Sequence, residues 1–197
     1  MRILINIVAP SLALLAAQSV WAQAGAPEKI QPLSMKYDAT SHDVPPKRVK
    51  SACAIKLTPV VDARQNKETV GANYIYRPLL SGDAGAWATS GMQNLKVFGF
   101  TVDMATDADR TGALSVASRI TRAYTWQVGM KLYGTVVVKV DYQLPGGRTE
   151  SKTYRATGDK TNMWGADDEY MATLNYAFNN MLPKIAADLE KHCGGKA

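Results

Sequence analysis

The chain has 197 residues, 46% of them hydrophobic and 20% charged, with 23 Lys+Arg against 17 Asp+Glu. Nine Tyr and four Trp at this modest net charge exclude an intrinsically disordered chain and fit one globular domain large enough to bury a core. Lys and Arg are scattered, so no basic cluster or RNA-binding aromatic motif marks a nucleic-acid partner.

The amino terminus reads as an export signal. Met1-Arg2 is a short basic start, Ile3 to Ala17 is apolar apart from Asn6 and Ser11, and Ala22-Gln23-Ala24 supplies the small-x-small cleavage pattern. Asn6, Pro10 and Gln18 interrupt the run, and a spanning helix needs about 20 apolar residues. Residues 1–24 are therefore expected to be a signal peptide, leaving no transmembrane segment and a periplasmic or secreted product. Removing them takes away one cation and no acid, so the chain stays basic and biased toward anionic envelope surfaces. Residues 25–50 are rich in breakers (Pro27, Pro32, Pro45, Pro46) and read as an extended arm, with residues 51–197 as a single domain.

Within that domain Cys53, Ile55 and Leu57 alternate with polar or small residues, which predicts one strand over 51–61, followed by a polar surface loop over 62–71. A short extended piece is expected over 72–77. Asp83 can cap a helix over 84–98 with Gly99 as its stop, and a second strand at 100–104 gives a parallel crossover from the first. Leu114, Val116, Ser118 and Ile120 alternate in a strand that can continue through Tyr124 and Trp126. Leu132 to Tyr142 is the clearest strand, with Leu132, Gly134, Val136, Val138, Val140 and Tyr142 on one face; Pro145-Gly146-Gly147 turns it into a return strand over 149–157. Tyr170, Leu174, Ala177, Phe178, Met181, Ile185 and Leu189 then mark a helical stripe over 167–192, which Pro183 should bend. The order β-α-β-β-β-β-α implies an α+β fold: a mainly antiparallel sheet with two helices packed on one face.

Cys53 and Cys193 are the two cysteines, and in an exported chain they are expected to form a disulfide. Neither belongs to a Cys-x-x-Cys pair, which speaks against a redox enzyme. His42 and His192 lie near no nucleophile elbow and lack zinc-ligand partners, and Asp103, Asp107 and Asp109 lack the glycine and closing Glu of a calcium loop. Asp167, Asp168 and Glu169 suit a helix start, where the macrodipole favours acids. No catalytic residue, metal or cofactor is assigned.

The run Val60-Val61-Asp62-Ala63-Arg64, the later Gly71, the exit Leu95-Lys96-Val97-Phe98-Gly99-Phe100 and the alternation Leu114 to Ile120 resemble the YajG-type family of bacterial envelope lipoproteins. The resemblance implies a periplasmic α+β domain without known catalytic residues. The chain departs from the family in having no lipobox cysteine after its apolar run.

Tyr74, Tyr76, Arg77, Tyr124, Trp126 and Trp164 are the candidate lining of a binding groove between sheet and arm, since aromatic rings with a few cations suit a glycan, a peptide or a lipid head group. The expected function is a non-enzymatic periplasmic binding or accessory protein whose partner is an envelope protein, lipid head group or glycan. The alternatives are a carboxylate-dependent hydrolase or glycan-modifying enzyme using Asp62 or Asp168, and a secreted effector.

Overall fold

A computed structural model of the protein describes residues 30–42, 45–105 and 114–194. The expected signal segment, Asp107 and Asp109 lie outside the described residues.

The spine of the sheet is β6 (Ser115–Val128), which runs antiparallel to β7 (Lys131–Gln143) along its whole length; β7 pairs in the same way with β8 (Thr149–Thr161). The opposite edge of β6 is shared by three short parallel strands laid end to end. These are β1 (Ala54–Leu57), whose Leu57 faces Val116, then β2 (Val61–Asp62), whose Val61 faces Arg119, and β3 (Thr69–Ala72), whose Gly71 faces Thr125. Strand β4 (Pro78–Leu80) adds antiparallel to β3, and β5 (Thr101–Met104) adds parallel to β1. With α1 (Ala84–Gln93) and α2 (Asp167–Cys193) this is the expected α+β class, and the parallel crossover from β1 through α1 to β5 is present.

Four local expectations need correction, the first being the surface loop over 62–71, which begins only after β2 and ends at Thr69, where β3 starts and buries Val70. The single strand over 51–61 is split: Pro59 has no N–H to give the sheet, and the Val60 N–H turns away to the Thr89 hydroxyl of α1, 2.8 Å distant. The piece over 72–77 is a tight turn between β3 and β4. The helix over 84–98 changes to a 3-10 turn over Asn94–Phe98 before Gly99 ends it at φ 106°; its start is capped by the Asp83 carboxylate, which accepts from Ala86 N at 2.8 Å.

The most consequential irregularity is a bulge in β6. Ile120 faces Val138 and Arg122 faces Val137, so Thr121 is an extra residue. Before it, Val116, Ser118 and Ile120 point into the core; after it the buried residues are Ala123 and Thr125. Unbroken alternation would put Tyr124 and Trp126 on the side of Ile120. The bulge turns them to the open face.

Helix α2 lies directly on β7 and β8 because glycines let it. A Cβ on Gly134 would stand 2.5 Å from the Thr173 carbonyl oxygen, and one on Gly158 would stand 2.5 Å from the Ala177 nitrogen. Gly91 of α1 likewise admits the Phe178 ring, where a Cβ would come within 2.4 Å. Tyr170, Leu174, Phe178, Met181, Ile185 and Leu189, the predicted stripe, are all buried, and α2 continues as one helix through Pro183. The Thr125 and Thr173 hydroxyls meet at 3.0 Å under the helix, and Thr125 also donates to Tyr133 O.

Residues 30–42 form a third layer over the helices. Leu33 is buried and its N–H bonds Leu80 O, extending the edge beyond β4. Asn175 accepts from the Trp87 indole at 2.8 Å and donates to Lys36 O, while Asn179 donates to Asp38 O and Ser41 O and accepts from the Tyr37 hydroxyl. Burial pushes that phenol up to about 12, against the Asn94 hydrogen bond that lowers it. Cys53 and Cys193 are joined, with Cα atoms 5.6 Å apart across 140 residues of sequence. Closing a loop of that length stabilises on the order of 5 kcal/mol in the chain-entropy account.

Gly134→Ala forces the Thr173 backbone off the sheet. Urea unfolding of the variant is expected to show a loss of roughly 2–3 kcal/mol with an unchanged m-value, as for an overpacked core site.

Candidate functional site

One end of the sheet gathers the apolar side chains that the core leaves out. Ile75 and Tyr76 stand on the β3–β4 turn at 61% and 89% exposure, Val128 and Met130 flank Gly129 at the β6–β7 hairpin, and Met163 and Trp164 precede α2. These segments touch: Asn162 N bonds Met130 O at 2.8 Å, and a Cβ on Gly165 would lie 3.3 Å from the Tyr74 ring. So much exposed apolar surface in one place is uncommon on a monomeric protein and makes this end the candidate site.

Both outer loops are held by an internal polar side chain. In the β3–β4 turn the Asn73 carboxamide oxygen accepts from Ile75 N at 3.1 Å and Arg77 N at 2.9 Å, and the Asn73 carbonyl accepts from Tyr76 N. The turn keeps Tyr76 at φ 60°, a left-handed conformation that costs a bulky residue on the order of 1 kcal/mol or more. Before α2 the buried Glu169 carboxylate accepts from Met163 N, Trp164 N and Ala166 N. Burial alone would raise this carboxyl, and the backbone donors override that and hold it below the ordinary range. Trp164 thus projects from an ordered loop.

Between the β3–β4 turn and the bulged part of β6 lies a recess of about 350 Å³. One wall is Asn73, Tyr74 and Tyr76, the other Tyr124, Trp126 and Gln127, and among the described residues no charged side chain lines it. The Trp126 ring is stacked between Tyr124 (centroids 6.0 Å) and Tyr133 (5.5 Å), forming an aromatic row across the open face. Gln127 is fixed from both ends: its amide donates to Gly129 O and its oxygen accepts from the Tyr170 hydroxyl.

Of the predicted groove residues, Tyr74, Tyr76, Tyr124 and Trp126 come together in this recess. Arg77 and Trp164 stay at its margin. The Arg77 guanidinium lies 3.3 Å from Asp167, and Trp164 is 87% exposed beyond the Tyr74 ring. The arm forms no wall of it, because the arm crosses the helices and the recess opens on the other side of the sheet. Asn73, Gln127, Tyr133 and Met130 were not predicted; an Asn that opens a turn between two short strands carries no periodic signal.

Of the acids named for a hydrolase, Asp62 is committed to an ion pair. Arg64, 4% exposed, grips Asp62 through two nitrogens at 2.9 Å and also donates to the Ser81 hydroxyl. Burial would raise Asp62, but Arg64 outweighs it and keeps the carboxyl low, the wrong direction for a general acid. Asp168 is exposed near the start of α2, beside a separate recess that also takes in Lys36 and Lys160. Among the described residues no group of three His, Cys, Asp or Glu is placed to hold a metal ion.

A polar cluster near the disulfide is structural. The Tyr142 and Tyr154 hydroxyls bond one another, Tyr154 donates to Asp188 at 2.7 Å, and Lys152 and Lys191 both reach the Asp188 carboxylate. The His192 ring rests 5.0 Å from that of Tyr142. Burial pushes both phenols up, well out of the range of a proton donor at neutral pH. Burial acts on Asp188 in the same sense, but its three donors prevail and bring it down to about 2.

No protein-family model matches the sequence, and no curated protein does either. Solved structures of bacterial proteins are similar in outline at low identity. Protein XCC0632 from Xanthomonas campestris, family DUF330, has a TM-score of 0.48 at 10% identity, covering 72% of this chain and 90% of that one. PelC from Paraburkholderia phytofirmans, solved as a dodecamer, has 0.42 at 14% identity over 74% of this chain and 95% of that one. A minor lipoprotein from Acinetobacter baumannii has 0.34 at 9% identity over 74% and 92%. At these scores the reading of the site rests on its own residues.

A carboxyl held low in the folded state stabilises above its unfolded value and loses that contribution as pH falls through the folded one. The Asp188 contribution, roughly 2 kcal/mol, is expected to be complete above about pH 4 and to fade toward about pH 2. Urea midpoints measured across this range should fall less steeply for Asp188→Asn than for the parent, with the variant already weaker at neutral pH.

Proposed function

We propose that the protein is a non-enzymatic binding or accessory protein of the bacterial cell envelope, exported to the periplasm, as the YajG-type resemblance implies. The observation that carries this reading is the aromatic end: rings and methionines held out in solvent by turns built around Asn73 and Glu169. Folding by itself gains nothing from exposing Tyr76 at a left-handed position, so the strain there is best understood as serving a contact. The amino-terminal export pattern and the bridged cysteines support the compartment. Asp62 locked to Arg64 speaks against the hydrolase reading.

The test is photo-crosslinking in cells, with p-benzoylphenylalanine placed at Tyr76 and, as a comparison, at Val61, which is 62% exposed away from this end. Adducts with envelope material are expected at Tyr76 and not at Val61. Equal labelling, or none at either position, overturns the proposal.

A further inference from the structure

Taking the aromatic end as the binding surface, we infer that its recess is a site for an uncharged saccharide, held between the rings of the β3–β4 turn and those of β6. This deepens the function proposed above and rests on it.

The chemistry of the lining selects the ligand class. Tyr74, Tyr76, Tyr124 and Trp126 supply four aromatic rings, and among the described residues no Lys, Arg, Asp or Glu lines the recess. Arg77 at its margin lies 3.3 Å from Asp167, and Lys131 at the start of β7 pairs with Asp159 at 2.6 Å. An anionic lipid head group or a nucleic acid would enter without a counter-charge. A pyranose brings what the site does offer a place for. Its ring C–H bonds carry slight positive charge and suit the electron-rich face of a Tyr or Trp, while its hydroxyls need hydrogen-bonding groups at the edge. Asn73 is such a group: it is 8% exposed, its oxygen is occupied by the turn, and its Nδ2 amide makes no hydrogen bond among the described residues. That amide still reaches solvent, so a sugar hydroxyl would take the place of water there.

Size and rigidity agree. About 350 Å³ is at the low end of the roughly 300–1,000 Å³ typical of small-molecule sites, which suits a sugar unit better than a helix or an extended peptide. The Trp126 ring is held in its stack, Gln127 is tied to Gly129 and Tyr170, and the backbone of Tyr76 is set by its turn, so part of the site is already ordered before binding.

The purified, oxidised chain is titrated with maltohexaose, cellohexaose and chitohexaose and, as an anionic comparison, with hexagalacturonate, following the Trp126 indole N–H by NMR. At least one neutral hexasaccharide is expected to shift that resonance, and hexagalacturonate to bind more weakly. Tyr76→Ala and Tyr124→Ala, both exposed and separate from the core, should keep the parent melting temperature and weaken binding by about tenfold each. The inference is overturned if no neutral hexasaccharide moves the resonance, if both variants bind as the parent does, or if phosphatidylglycerol vesicles or a proline-rich peptide occupy these residues while the sugars do not. Should crosslinks at Tyr76 persist with the sugars silent, the saccharide assignment falls and the binding role stands; with both silent, both fall.

Discussion

Two glycines on neighbouring strands, Gly134 and Gly158, determine how near α2 comes to the sheet. Each sits where a single methyl group would strike helix backbone, so the helix rests on main chain rather than on a carpet of side chains. The close seat lets Thr173 reach Thr125 and carries Asn175 and Asn179 outward to the level where the arm crosses. Other parts follow from it. The start of α2 is where Glu169 gathers the amides of the Trp164 loop, and its end is where Cys193 meets Cys53. Lifting the helix would loosen both the aromatic end and the opposite one.

The long strands and α2 were readable because burial on one side imposes a period, two for β7 and between three and four for α2. The bulge was not, and it is what turns Tyr124 and Trp126 to the open face. Leu114 through Trp126 can be written as one alternating strand, which would send Tyr124 and Trp126 the way of Ile120. Only pairing with β7 reveals Thr121 as surplus, and pairing is a tertiary fact. Four of the six residues named for a groove, Tyr74, Tyr76, Tyr124 and Trp126, nevertheless line one recess, since they were picked by residue type rather than by face.

Other features escaped for a different reason. Strands of two to four residues, such as β2 and β4, have too few positions to show alternation and exist because β6 and β3 offer them an edge. The described residues of the arm have neither helix nor strand, but its prolines gave no hint that Tyr37 is anchored to α2 and Leu33 to the edge of β4. The cysteine pair was legible from count alone. The Asp62-Ala63-Arg64 motif, noticed as a family-like pattern, turns out to be a clasp on the loop after β2: Arg64 reaches Ser81 as well as Asp62.

The position of the bridge also bears on when the fold can close. Cys193 is the last residue of α2, itself the last element, while Cys53 lies just before β1. Strands β1, β2 and β3 all wait for β6, whose residues follow theirs by some fifty positions or more along the chain. A polypeptide delivered amino end first therefore carries one unmatched thiol until its final helix arrives, whereas the edges of β1, β2 and β3 wait only for β6. No premature pairing is open to that thiol within its own chain, so oxidation coincides with completion and seals a structure that is already whole.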